Sequence, residues 1–278
     1  MAISLWFHDS ESTEASAPDE PRSVLITGVA GRVGGLLIPA ARERSDLRLR
    51  LMVETEEQRD AIAGVDDADD VVVGDIQDEA VVRRAVDGID TVVNLAAASR
   101  ASQPWEEVHG PNIVGAQAVL EAAAEAGCRR VVLTSSVNVI GGCGDDNMPI
   151  HEEQAIAPGN VYGVSKAFNE AIGYHYAHKR GLSVICVRLG GVCDREKAAR
   201  AIEKDTKFAR LLISHEDTAQ IFLRCIDDTR VRFGIFHAAS DVENPVMDIS
   251  RAREVLGFQP TRLRAPAPAN ESAKPASA

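Results

Sequence analysis

The chain has 278 residues, of which 45% are hydrophobic, and it carries a formal net charge of −12 at neutral pH. This length and composition suffice for one large globular domain, or for one domain with a small additional part. The excess of acidic residues argues against a nucleic-acid or anionic-membrane partner, because both of these bind basic surfaces.

Other features of the composition predict a protein of the cytoplasm with no bound metal. No apolar run approaches the roughly 20 residues of a membrane span. The short apolar stretch at residues 3–7 lacks the basic flank of a signal peptide. The five cysteines include no Cys-x-x-Cys pair, which is typical of reduced thiols and not of disulfides or a zinc site.

A buried strand followed by a glycine-rich turn and a helix is the first functional signal. The apolar run at residues 24–26 predicts the strand, and an apolar run from residue 36 predicts the helix. Between them Gly28 permits a tight turn, Gly31 lets a pyrophosphate approach the backbone, and Gly34 allows close packing. This is the pattern of a dinucleotide-binding turn, although an ordinary strand-to-helix turn is the alternative. We expect cofactor contacts from Gly28, Ala30, Gly31, Arg32, Val33 and Gly34.

The next two predicted strands supply candidates for the adenosine half of a cofactor. The strand over residues 47–53 ends before Glu54, where a carboxylate can bind a ribose diol and repel a 2′-phosphate. This favours NAD over NADP, and a solvated acid at a strand end is the alternative. The strand over residues 71–73 leads to Asp75 and Ile76, which are candidates to bracket an adenine.

Helices and strands alternate through the middle of the chain. The helices are predicted over residues 79–86, 105–126 and 161–178, and the strands over 90–94, 131–133 and 183–187. This alternation predicts a Rossmann-like α/β fold, a doubly wound parallel sheet with helices on both faces. Leu95, Ala96 and Ala97 follow one strand directly, and small side chains there would let a flat cofactor lie against the backbone.

The alternation breaks after residue 190, where a mixed and charged segment precedes a last strand over residues 231–238. We therefore expect a small C-terminal substrate cap. The chain divides into a disordered tail at 1–21, a dinucleotide-binding Rossmann domain at 22–190, a small substrate-binding part interleaved with the last sheet elements at 191–260, and a disordered tail at 261–278.

A tyrosine and a lysine four residues apart are the second functional signal. Tyr162 and Lys166 share one face of the predicted helix. A phenol with a reference pKa of about 10 is a poor base at neutral pH, and a nearby ammonium group lowers that pKa. The pair can then take a proton from a substrate hydroxyl. Ser136, at a strand end, adds a hydroxyl that can bond to the reacting oxygen, or it simply caps a turn.

Together, the glycine pattern, Ser135-Ser136 and Tyr162-x-x-x-Lys166 resemble the extended short-chain dehydrogenase/reductases, also called the NAD-dependent epimerase/dehydratase family. The likeness extends over about residues 22–260. It is strongest to the short members that oxidise sugars, the uronate dehydrogenases and archaeal NAD-dependent glucose-6-phosphate dehydrogenases. The motifs that carry this finer likeness are at residues 161–166, 214–217 and 251–258.

The resemblance implies a role for each matching residue. Tyr162 would be the base, Lys166 its activator and a ribose ligand, and Ser136 the group that orients the substrate hydroxyl. Asn112 would belong to the cofactor site. The substrate contacts would come from Ser99, Ser136, Asn138, Lys207 and Arg210. The chain departs from the pattern at Asn138 and at Gly191, where the uronate enzymes have other residues, so the substrate is not carried over.

Three functions are compatible with these patterns. The favoured one is an NAD-dependent oxidoreductase that oxidises a hydroxyl of a sugar or sugar acid. The alternatives are a nucleotide-sugar epimerase or dehydratase with tightly held NAD, and a dinucleotide-binding protein without catalysis. The short C-terminal part argues against the first alternative, and the complete set of Ser136, Tyr162 and Lys166 against the second. The resemblance also implies a homodimer paired through the two long helices, at about residues 103–126 and 160–178, although their alanine-rich faces could instead simply cover the sheet.

Overall fold

The computed structural model describes residues 6–8, 20–62, 70–144, 148–204 and 206–264. Its strands are β1 (Trp6–His8), β2 (Arg22–Thr27), β3 (Leu47–Val53), β4 (Asp70–Val73), β5 (Thr91–Asn94), β6 (Arg130–Ser136), β7 (Ser183–Leu189), β8 (Gly191–Cys193), β9 (Leu212–Ser214) and β10 (Val231–Ala238). Its helices are α1 (Arg32–Arg42), α2 (Glu56–Asp60), α3 (Glu79–Val86), α4 (Trp105–His109), α5 (Gly115–Glu125), α6 (Val161–Lys179), α7 (Arg195–Glu203), α8 (His215–Asp227) and α9 (Ser250–Leu256).

An eight-stranded sheet in the order β1-β10-β7-β6-β5-β2-β3-β4 forms the centre of the molecule, and β8 and β9 form a separate parallel pair. Every pairing in the large sheet is parallel except that of β1 with β10. The chain runs outward from β2 to β4 on one side, and then from β5 to β10 on the other. The carboxyl ends of β2 and β5 therefore meet where the strand order reverses, which is where such sheets bind ligands.

Helices cover the sheet on both faces, as the predicted doubly wound fold requires. On one face Leu37 of α1 packs in the same cluster as Ile26, and on the other Leu120 of α5 packs with Leu25. Leu25 and Ile26 are neighbours on β2 and both are fully buried, because successive side chains of a strand point to opposite faces. Burial on both faces explains why this strand is a continuous apolar run.

The predicted helix over residues 105–126 is interrupted in the structure. A π-helical turn (Gly110–Val114) separates α4 from α5, with Pro111 at its start. Proline has no backbone N–H to donate, so one hydrogen bond of the regular helical pattern is missing at this residue. The turn carries Asn112, which is buried.

Both ends of the described chain differ from the expected tails. Trp6–His8 lies within the segment expected to be a solvated tail, yet it pairs antiparallel with β10. At the other end Leu263 is buried and Arg262 pairs with Asp241 through a bridge, so the packed chain continues past residue 260 to residue 264. Residues 20 and 21 are exposed, and the remainder of both expected tails lies outside the described residues.

Two negative findings apply to the part of the chain that the structure describes. None of its helices combines the length and the apolar character that crossing a membrane demands. Nowhere in the same ranges do three or more His, Cys, Asp or Glu side chains come together in a way that could hold a metal ion.

Candidate active site

A cavity of about 1190 Å³ opens at the carboxyl edge of the sheet. It runs from the ends of β3 and β4, past the turn after β2, to the end of β6 and the first turns of α6. The residues expected at a site that line it are Gly28, Ala30, Gly31, Arg32, Val33, Gly34, Glu54, Asp75, Ile76, Leu95, Ala96, Ala97, Ser99, Ser136, Asn138, Tyr162 and Lys166. The strand order thus brings together residues more than a hundred positions apart in the chain.

The glycine turn forms the floor of this cavity as the sequence predicts. Gly28 has a φ of 65°, and a Cβ there would lie 2.6 Å from the Ala96 Cα, so only glycine fits. Gly31 is the N-cap of α1, and no side chain caps this helix. The first N–H groups of α1 have no partner within the helix. They are therefore available to bind an anionic group at the cavity floor.

The strand end beside this turn is held by a buried polar pair. The Thr27 hydroxyl donates a hydrogen bond of 2.6 Å to the Asn94 amide oxygen and accepts one of 3.3 Å from the Ala96 N–H. This fixes the small residues after β5 against the glycine turn. Leu95, Ala96 and Ala97 line the cavity here, and the small alanine side chains take up little of its space.

Acidic and apolar groups line the far end of the cavity. Glu54 follows β3 directly and is exposed, and among the described residues no cation pairs with its carboxylate. Its N–H donates to the Gln58 side chain at 3.0 Å, and Gln58 also lines the cavity, which the sequence did not indicate. Asp75 accepts a hydrogen bond of 2.9 Å from the Gln77 N–H, while Ile76 is buried beside it.

The reactive end of the cavity joins Ser136 to the start of α6. Ser136 Oγ accepts hydrogen bonds from Asn138, 3.1 Å from its N–H and 3.0 Å from its amide nitrogen. Asn160 donates to Asn138 Oδ1 at 2.9 Å and caps α6 by accepting from the Gly163 N–H at 2.8 Å. With these acceptor positions filled, the Ser136 hydroxyl can only donate, to the Tyr162 oxygen or to a ligand between the two side chains. The sequence does not mark Asn160 as a site residue, although its position one residue before α6 is typical of an N-cap.

Burial sets the pKa values of Tyr162 and Lys166. Removal from water raises the pKa of Tyr162 to about 12, and a hydrogen bond with Ser136 acts in the opposite direction. Burial also lowers the pKa of Lys166 to about 8. The expected lowering of the phenol pKa by the ammonium group is therefore wrong for this structure. The lysine Nζ lies 5.5 Å from the centre of the tyrosine ring, and loss of water is the main influence on the phenol pKa.

Asn112 does not line the cavity, contrary to its expected place among the cofactor ligands. Its side chain accepts a hydrogen bond of 2.8 Å from the Ala98 N–H and donates to the Ala98 carbonyl at 3.1 Å and to Ser165 Oγ at 2.9 Å. Ser165 in turn donates to the Tyr162 carbonyl at 2.7 Å. Asn112 thus ties the loop after β5 to the helix that carries Tyr162, because the π-helical turn directs it inward.

The substrate end differs most from the sequence expectation. Lys207 and Arg210 do not line the cavity, whereas Phe208 and Leu211 do. Lys207 directly precedes the short 3₁₀ segment Phe208–Leu211 that contains the other three. Residues three apart share a face of such a segment, so the apolar pair faces the cavity and the basic pair does not. Lys207 Nζ instead donates to the Cys143 carbonyl at 3.3 Å. The signal available in the sequence was a single phenylalanine within a charged segment.

Phe208 and Gly191 lie side by side on the wall of the cavity. Phe208 is 63% exposed although it is a large apolar residue. A Cβ at Gly191 would lie 3.2 Å from this ring and 3.2 Å from the Leu212 side chain, so a larger residue at 191 would require both to shift by a few tenths of an ångström. Gly191 is one of the positions at which the chain departs from the family pattern.

Comparison with known proteins agrees with this geometry. The model of the NAD dependent epimerase/dehydratase family matches residues 24–224, which is most of the chain. The chain belongs to that family. Its matched region begins in β2 and ends in α8, so it contains both the glycine turn and the pair Tyr162 and Lys166.

Several members of the family are similar to this chain over most of their length. The chain is 32% identical over 258 residues to an NAD-dependent glucose-6-phosphate dehydrogenase of Haloferax volcanii, covering 87% of this chain and 93% of the relative. It is 28% identical over 218 residues to a uronate dehydrogenase of Pseudomonas syringae pv. tomato, covering 78% and 74%. The solved glucuronic acid dehydrogenase of Chromohalobacter salexigens has the same fold, with a TM-score of 0.74, 24% identity and coverage of 86% and 84%.

The residues of the cavity fit the dinucleotide that the family name specifies. An uncapped helix N-terminus and a glycine without room for a Cβ suit a diphosphate. The Glu54 carboxylate, which no cation pairs with in the described part of the chain, suits a ribose diol and opposes a 2′-phosphate. The cavity extends from there to Tyr162 and Lys166, so one dinucleotide can reach both ends.

Proposed function

We propose that this protein is an NAD-dependent dehydrogenase that oxidises a hydroxyl of a sugar or sugar acid. The observation that carries the proposal is that Ser136, Tyr162 and Lys166 line the same cavity as the glycine turn. The family shown above is NAD-dependent, and the relatives named there are dehydrogenases of a sugar phosphate and of sugar acids.

Residues at the floor and at the far end of the cavity bind the cofactor. The N–H groups at the start of α1 bind the diphosphate, Glu54 binds the ribose diol, and Asp75 and Ile76 flank the adenine. NAD, when bound, supplies the acceptor for a hydride. Lys166, whose pKa of about 8 leaves it mostly protonated at pH 7, binds the second ribose.

Ser136, Tyr162 and Lys166, at the other end of the cavity, remove the proton from the substrate. Tyr162 first releases its own proton to solvent, and the Lys166 charge stabilises the resulting phenolate, which offsets part of the cost of forming it in a buried place. The phenolate oxygen then takes the proton of the substrate hydroxyl, the hydride of the adjacent carbon would pass to bound NAD, and a lactone or keto-sugar would result. Ser136 donates a hydrogen bond to the reacting oxygen, because Asn138 already occupies its acceptor positions.

Substrate contacts are proposed for Ser99, Ser136 and Asn138, all of which line the cavity. Phe208 packs against the apolar face of the sugar ring. Aromatic side chains commonly line such pockets, while a few polar groups fix the orientation of the ligand. Lys207 and Arg210 are not proposed as ligands, because neither lines the cavity.

The proposal is tested with a panel of aldoses, uronic acids and sugar phosphates, assayed for reduced cofactor with NAD and with NADP. We expect turnover with NAD and release of NADH. Tyr162→Phe should lose nearly all turnover and keep NAD binding, because the ring and its packing remain. Equal turnover in that variant would remove Tyr162 from the mechanism. Bound NADH that is never released would instead favour an epimerase.

We further propose that two copies associate and that the enzyme works in the cytoplasm. Trp105, Val114 and Val164 are large apolar residues exposed on α4, on the π-helical turn and on α6. These are the two long helical segments that the sequence indicates for pairing. Light scattering that gives the mass of one chain would refute the dimer. Cell fractionation with an antibody would test the location.

A further inference from the structure

A buried ion pair lies directly behind the reactive end of the cavity. Arg188 of β7 donates two hydrogen bonds of 2.8 Å to the two carboxylate oxygens of Glu170 on α6. Their side chains are 1% and 6% exposed. Charges are seldom buried unless they are paired, and a two-pronged pair fixes the relative orientation of the elements that carry it.

The same carboxylate also binds the strand that carries Ser136. Ser135 donates a hydrogen bond of 2.6 Å to Glu170 Oε1 and is itself buried. Ser135 and Arg188 are paired neighbours on β6 and β7. Glu170 lies one helical turn after Lys166 and two turns after Tyr162, on the buried face of α6. One carboxylate therefore joins the helix of the proposed base to the strand of the proposed serine.

The arginine of the pair is held from its other side. His237 of β10 is the strand neighbour of Arg188, and its Nε2 lies 3.3 Å from an Arg188 guanidinium nitrogen. His237 Nδ1 lies 3.0 Å from the Asp248 carbonyl. Nδ1 therefore carries the proton and Nε2 accepts from the arginine, and burial lowers the pKa of His237 to about 3, which keeps it neutral. Arg188 also donates to the Glu152 carbonyl at 3.4 Å, in the loop that leads to α6.

We propose that Glu170 and Arg188 are positioning residues for the oxidation, and that they fix Tyr162 and Lys166 at working distance from Ser136. This inference rests on the proposed function. A helix that is packed only by apolar contacts can slide slightly at little cost. The charged pair resists such movement because a small displacement breaks two short hydrogen bonds and leaves a buried charge unpaired.

The chain provides a control at the opposite end of β6, the strand that carries Ser136. Arg130 of β6 and Asp228 are also buried, with an N–O separation of 3.6 Å and side chains that are 1% and 3% exposed. Neither residue lines the cavity. Asp228→Asn removes a buried carboxylate charge far from Ser136. This carboxylate also pairs with Arg230 at 3.0 Å, so the variant controls for the loss of a buried charge and not for an identical two-pronged pair.

The experiment compares Glu170→Gln, Ser135→Ala and Asp228→Asn in the full chain. For each we measure thermal unfolding, KM for NAD, and kcat per folded molecule with the best sugar of the panel. Glu170→Gln should lower kcat at least tenfold, and Ser135→Ala, which leaves the ion pair intact, about threefold. KM for NAD should stay within twofold. Asp228→Asn should lower the unfolding temperature and leave kcat unchanged.

The outcomes separate the inference from the proposed function. No turnover by the wild type would refute the proposed function alone. In that case crystal structures of the wild type and of Ser135→Ala decide the inference, because we expect the separation of Ser136 Oγ and Tyr162 Oη to grow by about 0.5 Å or more. Should Glu170→Gln and Ser135→Ala keep the wild-type kcat, or this separation stay unchanged, the pair is merely structural. If Glu170→Gln does not fold, Ser135→Ala carries the test.

Discussion

Replacing Lys166 by methionine should abolish turnover and at the same time stabilise the fold. Lys166 is buried, and burial lowers its pKa from 10.5 to about 8. One pKa unit corresponds to about 1.4 kcal/mol. At pH 7 the charged amine therefore costs the folded state about 3 kcal/mol relative to the unfolded chain. Methionine has a similar length and fits irregular apolar spaces, so Lys166→Met should recover most of that free energy.

The sign of this effect depends on pH in a way that can be checked. Below pH 8 the amine is charged in both states and only the folded state bears the cost. Between pH 8 and 10.5 the folded state releases its proton first, so the wild type becomes more stable as the pH rises. The advantage of the methionine variant should therefore shrink over this range and vanish above it.

Thermal unfolding at pH 7 and at pH 10 measures both quantities. For a chain of this size about 3 kcal/mol corresponds to roughly 6–12 °C in unfolding temperature. Lys179→Met, an exposed lysine at the end of the same helix, is the control and should change the free energy of unfolding by less than about 1 kcal/mol. A methionine variant at 166 that is less stable at pH 7, or equally favoured at both pH values, would refute the reasoning.

Two further substitutions test the ends of the cavity. Glu54→Gln removes the charge that opposes a 2′-phosphate. KM for NADP should therefore fall at least tenfold, while KM for NAD should rise a few-fold. An unchanged cofactor preference would exclude Glu54 from the ribose site. Phe208→Ala should raise KM for the sugar about tenfold without affecting KM for NAD, since the ring lines only the substrate end. Lys207→Ala is its matched control, and a larger effect from the lysine than from the phenylalanine would reverse the assignment.

The parts of the site that local spacing encodes could be predicted from the sequence. Gly28 and Gly31 are three residues apart, and Tyr162 and Lys166 are four residues apart. The glycines follow a strand and the second pair begins a helix, and both elements have a clear apolar pattern. Their arrangement depends on local backbone geometry, which a short stretch of chain determines. The alternation of strands and helices then predicted the edge of the sheet at which they meet.

What depends on distant packing could not be predicted in the same way. Whether Lys207 or Phe208 faces the cavity is decided by how a short 3₁₀ segment rests on Gly191 and its neighbours. The inward direction of Asn112 follows from a π-helical turn that the apolar pattern does not indicate. The pKa of Tyr162 is set by loss of water, and burial depends on the whole fold rather than on the lysine one turn away.

The short strand Trp6–His8 has a practical consequence for anyone who prepares this protein. It covers β10, which without it would present a row of open backbone donors and acceptors at the rim of the sheet. Such a rim invites strands of other molecules to add to it, the first step of many aggregates. Trimming the first 21 residues as dispensable would remove that cover, so an affinity tag is better fused to the other terminus, with residues 6–8 kept.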